Sequence, residues 1–326
     1  MRFRTELFPK QPPFLLDLNK PVLSVGSCFA QVIGERLRQF KFDTLLNPYG
    51  TIFNPSSLSA LLYQSLNQQS FNSSLHLRFQ ERWLTYFMHS DVQAGSPEEL
   101  NRKITTIQHQ VNEYLTKAQA LIFTMGSAWV YKHTESQQLV ANCHKQPQKN
   151  FSKELLTPQE IVQGFEQWYA AAKKVNPQLK VILTVSPVRH EKDGLEENSL
   201  SKSILRYAVS LIQAKFPEEV YYFPSYELLL DDLRDYRFYA ADLLHPSSEA
   251  QDYIWEKFST SMLNEEALTF VKDWEPIQKA LNHRPFNPAS AAHQQFLSAT
   301  SKKLSERNWP VSVEQEILHL QNQLNS

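Results

Sequence analysis

The sequence predicts an α/β protein, a three-layer α/β/α sandwich whose parallel sheet has helices on both faces, followed by a C-terminal helical extension. Three observations predict it. Short apolar runs recur at residues 21–26 (PVLSVG), 120–125 (ALIFTM), 180–185 (KVILTV) and 220–223 (VYYF). Segments of helical periodicity separate them. Each run stops at a turn former: Gly26, Gly126, Ser186-Pro187 and Pro224. Near-continuous apolar strands alternating with amphipathic helices are what a doubly covered parallel sheet requires.

In chain order, FAQVIGERLRQF follows the first run with apolar residues at Phe29, Val32, Ile33, Leu37 and Phe40, a helical spacing. Residues 47–55 (NPYGTIFNP) place two Asn-Pro steps around a glycine and read as loop. A helix is expected over 56–67. Residues 76–89 (HLRFQERWLTYFMH) are aromatic-rich and partly alternating, as in a hairpin. Helices are expected over 97–117, over 158–174 with Thr157 as cap and Pro158 as first residue, and over 198–215. Another starts near Ser248. From residue 266 the pattern changes: helices near 289–306 and 311–324 flank an irregular HRPFNP stretch at 283–288, with no strand signal. The division is therefore an α/β domain at 1–265 and a helical extension at 266–326 packed on it. Phe286, Phe296, Leu297, Trp309, Ile317, Leu318 and Leu320 offer the apolar surface for that packing.

Composition excludes several functions. A net charge of −1 provides no basic field for nucleic acid or an anionic membrane. No stretch approaches the roughly 20 apolar residues of a membrane span. The N-terminal segment, broken by Pro9, Pro12 and Pro13, does not read as a signal peptide. With only two cysteines, Cys28 and Cys143, a disulfide framework is not expected, and a cytoplasmic location is the simpler reading. His133, Cys143 and His144 lack the second ligand pair of a structural zinc site, so no metal is expected. No phosphate loop or dinucleotide fingerprint occurs, and no cofactor is expected.

Two motifs carry chemistry. Gly26-Ser27-Cys28 stands between a strand and a helix, where sites form in open α/β sheets. A helix N-terminus favours the thiolate, which predicts a Cys28 pKa below the free value. The alternative is that Ser27 caps the helix and Cys28 is a small packing residue. The second motif is Asp242-Leu243-Leu244-His245-Pro246. A three-residue separation in a turn brings a carboxylate to an imidazole Nδ1 and leaves Nε2 as base. The alternative here is an exposed loop with a capping aspartate. Arg189, just past the third run, suits a carboxylate or phosphate, or is a solvated loop residue. Phe79, Trp83, Tyr86 and Phe87 line an acyl pocket or belong to the core, and His89-Ser90 is a lesser candidate.

The stretch Gly26-Ser27-Cys28-Phe29-Ala30 resembles the signature of the GSCFA family, which is similar to the SGNH, or GDSL, hydrolases. The stretches NPYGTIFNP (47–55), TMGSAWVY (124–131), TVSPVRH (184–190), DLRDYRFYAADLLHPS (232–247) and HRPFNP (283–288) extend the resemblance over most of the chain. The resemblance implies an SGNH-type, flavodoxin-like sheet of about five strands. It places Cys28 at the nucleophile position and Ser27 at the position of the family's aspartate. Asp242 and His245 match the final Asp-x-x-His. Gly50 matches the glycine whose N–H donates to the oxyanion. The third block departs: Ser127 and Ala128 follow Gly126, so the oxyanion asparagine is missing. Losing one such donor costs roughly a hundred- to thousand-fold in rate. Ser127, Asn54 and the Trp129 indole are the candidates to replace it.

The expected activity is hydrolysis or transfer of an acyl group from an ester or thioester through Cys28, His245 and Asp242. The substrate is a small-molecule or glycan acyl compound. Two alternatives accompany it: a non-catalytic small-molecule or glycan binder on the same scaffold, and an acyltransferase to a carbohydrate or lipid.

Overall fold

The computed structural model describes residues 4–324 other than Arg284, Pro288 and Ala289, and the backbone alone of Asp193. Arg284 and Pro288 of the expected irregular stretch thus lie outside the described residues. The strands are β1 (Val22–Gly26), β2 (Thr44–Leu46), β3 (His76–Phe79), β4 (Arg82–Thr85), β5 (Ala120–Met125), β6 (Trp129–His133), β7 (Leu139–Val140), β8 (Phe151–Leu155), β9 (Lys180–Val185) and β10 (Val220–Tyr222). The helices are α1 (Cys28–Gln39), α2 (Pro55–Leu66), α3 (Pro97–Lys117), α4 (Pro158–Val175), α5 (Leu195–Lys215), α6 (Ser225–Glu227), α7 (Ser248–Met262), α8 (Glu265–Leu281), α9 (Ala291–Glu306) and α10 (Glu314–Leu324).

The central sheet is parallel, in the order β2-β1-β5-β9-β10. Counted along the chain within this sheet, that is 2-1-3-4-5, the flavodoxin-like doubly wound order, whose direction reverses between β1 and β5. Every residue of β1 and β5 is buried, which is why both appear as unbroken apolar runs. Alternation sorts their side chains onto two faces. Leu23, Val25, Leu121, Phe123 and Met125 pack with α2, α3, α4 and α5. Val22, Ala120 and Ile122 pack with α1, α7 and α8.

The expected hairpin forms as β3–β4, turning through Gln80 and Glu81 at φ 46° and 64°, both left-handed as a two-residue turn demands. Several elements depart from the sequence reading, among them α8, for which no helix was expected. β2 is three residues long and was not expected. Between β5 and α4 the chain builds an antiparallel sheet, β7-β6-β8, that was not expected either. β8 is FSKEL without a buried residue, so it carries no apolar signal.

The C-terminal helices share the core of the α1 face. Trp274, Leu297, Leu304, Trp309 and Leu320 are buried there. Trp274 Nε1 donates to the Gln39 carbonyl at the end of α1 (3.1 Å), and Lys41 pairs with Glu316 (2.6 Å). Of the residues expected to dock, Phe286, Phe296 and Leu318 are instead exposed: Phe286 precedes α9, the buried stripe of α9 runs through Leu297, Thr300 and Leu304, and α10 buries Leu320. No described helix is long and apolar enough to cross a membrane.

Candidate active site

The two strands flanking the sheet's reversal end side by side at Gly26 and Met125. Gly26 has φ +139°, and a Cβ there would lie 2.2 Å from the Thr124 carbonyl oxygen, so the corner demands glycine. Loop 47–54 is laced across both strand ends. The Gly26 N–H donates to Asn47 Oδ1 (2.9 Å), and the Ile52 N–H donates to the Gly26 carbonyl (2.9 Å). The Gly126 and Ser127 N–H groups both donate to the Phe53 carbonyl (2.7 and 3.0 Å).

Cys28 opens α1 and is half-buried, whereas Ser27 is 1% exposed with its hydroxyl lacking a partner. Of the two, the thiol is the group that reaches out of the corner. Its pKa is raised, not lowered as the helix N-terminus suggested. Burial strips the thiolate of water, and this outweighs the two effects that favour it: its own backbone N–H and the Lys202 ammonium.

Lys202 is the residue that the sequence reading missed. It sits on α5, 1% exposed, and donates from Nζ to the Gly126 and Ser186 carbonyls, both at 2.7 Å. Burial lowers its pKa to about 7, while the Cys28 thiolate opposes the shift. The available signal was spacing: Asn198, Ser201, Lys202, Leu205 and Val209 share the buried face of α5.

The Asp-x-x-His turn forms as expected. His245 Nδ1 lies 2.7 Å from Asp242 Oδ2, while Asp242 Oδ1 accepts the N–H groups of Leu244 (2.9 Å) and His245 (3.0 Å). Those two backbone donors, with His245 first, and then the imidazole hold the Asp242 carboxyl down at about 2. Leu243 takes φ +60° to close the turn. The Arg189 N–H donates to the Leu244 carbonyl (3.3 Å), and its guanidinium lies over the rings of Tyr239 (4.3 Å) and Tyr236 (5.1 Å). Arg189 therefore braces the His245 loop from the segment leaving β9, so thiol and imidazole share the carboxyl end of the sheet. Among the described residues no hydrogen bond joins Cys28 to His245.

The expected oxyanion donors fare unequally. The Gly50 N–H already donates to the Asn47 carbonyl (2.7 Å), closing the turn that gives Gly50 φ +72°. Gly50 is thus not the free donor that the resemblance implied. Ser127 Oγ is tied to Ser201 Oγ (3.3 Å) and accepts the Trp129 N–H (3.1 Å). Asn54 is 5% exposed and caps α2, accepting from the Ser57 N–H (2.7 Å). Its amide NH₂ makes no hydrogen bond among the described residues. The Trp129 indole N–H is also buried without a partner.

The aromatic stretch divides. Tyr86 is buried between the rings of His133 (5.5 Å) and His144 (6.0 Å), and Phe87 lines a cleft of about 200 Å³ with Leu61, Leu139 and Ala141. Ser90 Oγ stands 3.2 Å from His144 Nδ1, whose ring donates from Nε2 to the Thr85 carbonyl (2.7 Å). Among the described residues no group of three His, Cys, Asp or Glu side chains is placed to hold a metal.

The sequence profile of the GSCFA family matches residues 21–258. The profile of the GSCFA domain protein, C-terminal domain, matches residues 274–326. A comparison with curated proteins finds no match.

Proposed function

We propose, from the premise that this chain belongs to the GSCFA family, that it is a thiol acyl hydrolase or transferase related to the SGNH, or GDSL, hydrolases. The observation that carries the reading is the 2.7 Å Asp242–His245 pair at the sheet end where Cys28 opens α1. In this scheme His245 Nε2 takes the Cys28 proton, and the thiolate attacks an ester or thioester carbonyl. The tetrahedral oxyanion receives the Cys28 N–H, and the unpaired Asn54 amide is the second donor. On collapse the leaving alcohol or thiol takes the proton from His245, and the acyl group remains as a thioester on Cys28. Water, or a carbohydrate or lipid hydroxyl, gives its proton to His245 and releases the acyl group. Asp242 holds the imidazole tautomer and stabilises the imidazolium. Cys28 and His245 close into contact when substrate binds, since catalytic hydrogen bonds are often long in unliganded sites. The support for an SGNH relationship is the 2-1-3-4-5 strand order with the nucleophile at the point of reversal.

A panel of acyl esters and thioesters, followed by intact-mass detection of a Cys28 adduct, tests this. Cys28→Ala is expected to abolish both turnover and adduct, and His245→Ala to slow acylation at least a hundredfold. Turnover unchanged in Cys28→Ala overturns the proposal. A second reading, a binder without turnover, draws on the bonded Gly50 N–H, the engaged Ser127 hydroxyl and the raised thiol pKa. Saturable ligand binding with no adduct and no product favours it.

A further inference from the structure

Lys202 is not explained by the scheme above. A buried amine is costly unless its protons find acceptors. Two acceptors are present, the carbonyls of Gly126 and Ser186, the residues directly after β5 and β9 at the carboxyl edge of the sheet. Gly126 borders the nucleophile corner: a Cβ on Gly126 would lie 3.0 Å from Ser27 Cβ. An ammonium carries three N–H donors and a neutral amine two. Two carbonyls therefore satisfy both donors of the neutral amine and leave the ammonium one donor and one charge without a partner. The charge on Cys28, at the start of α1, acts on Nζ, and the ring of Tyr226 from α6 lies 6.0 Å from it. Burial raises the Tyr226 pKa and keeps that ring neutral, so the counter-charge open to Nζ is the Cys28 thiolate at the moment it forms.

We propose that Lys202 is the buried counter-cation of Cys28, a positioning residue that stabilises the thiolate while clamping the ends of β5 and β9 beneath it. The inference rests on Cys28 being the reactive group of the site. It assigns the first proton of the cycle: the thiol gives its proton to His245, and the charge left on sulfur is met by the Lys202 ammonium, which keeps its own proton through the step. Lys202 thus supplies from the interior what the helix N-terminus alone does not.

The test is the pH profile of Cys28 alkylation by iodoacetamide in the full-length native protein, read by peptide mass. Lys202→Met is expected to move the Cys28 midpoint upward and slow alkylation near pH 7 by roughly tenfold, about one pKa unit. Lys202→Arg, which keeps the charge, is expected to stay nearer the parent. A tether without an electrostatic role would lower the melting temperature and leave the midpoint alone. Coupling is reciprocal, so a second measurement avoids altering Lys202. In protein carrying 13C-labelled lysine, Cys28→Ala is expected to lower the Lys202 Cε titration midpoint. A reactive Cys28 whose midpoint ignores residue 202, or a Lys202 midpoint unmoved by Cys28→Ala, overturns this inference alone. A thiol that resists alkylation at every native pH overturns the nucleophile reading together with it.

Discussion

The two poles of the candidate site are built in opposite ways. The Gly26–Cys28 corner is embedded between two cores, with backbone hydrogen bonds from β5 and loop 47–54 holding it on several sides. The Asp242–His245 turn is held mainly by its own Asx-type bonds and the Arg189 brace, with side chains 46% and 45% exposed. A corner made by long-range contacts cannot shift without disturbing the sheet. A turn made by local bonds can move as a unit and keep its carboxylate–imidazole pair. On the proposed mechanism, closure of the site falls to the histidine side and preorganisation to the cysteine side.

The largest expected effect comes from removing what supports both poles. Truncation after residue 265 strips Trp274, Leu297, Leu304, Trp309 and Leu320 from the core beneath α1 and α7. At roughly 1.5–3 kcal/mol for each buried side chain, the loss rivals the whole stability of a domain. An insoluble or molten product in a circular-dichroism melt is expected, and an unchanged melting temperature would show that the extension is independent.

Next comes Gly26→Ala, which forces Cβ against the Thr124 carbonyl at a φ of +139°. A loss of roughly 3 kcal/mol or more is expected by urea denaturation. A loss below about 1 kcal/mol would mean that the corner yields and that the poles do not differ in rigidity.

The histidine pole is expected to respond to acid. The Asp242 carboxyl is depressed in the folded state, from an ordinary 3.8 to about 2. Its contribution is therefore present above the ordinary value and lost as pH falls through about 2. Hydrogen exchange at the Leu244 and His245 amides should stay slowed at pH 4 and lose that protection towards pH 2, relative to the Ser27 amide. Equal sensitivity at all three amides would erase the contrast.

The smallest effect is expected from Leu243→Gly. Leu243 sits at φ +60° with its side chain exposed, so glycine removes strain while adding freedom to the unfolded chain. A change within about 1 kcal/mol of either sign is expected, against the large loss from the opposite exchange at Gly26. A loss of roughly 2 kcal/mol or more would show that the Leu243 side chain anchors the turn.

The sequence by itself determined the parts of this protein whose causes are local. Four of the five central strands were legible because burial on both faces leaves an unbroken apolar run. The Asp242–His245 pair was legible because its contacts span three residues of one turn. The need for glycine at residue 26 was implicit in a strand meeting a helix. Tertiary structure alone decided the rest. β2 and β7 are only three and two residues long and β8 has no buried residue, so only their neighbours make them strands. The fates of Gly50 and Ser127 depended on which carbonyl or hydroxyl lay across from them. The direction of the Cys28 shift and the arrival of Lys202 depended on packing between segments far apart in the chain. Desolvation and charge act through space, and a one-dimensional pattern does not record that distance.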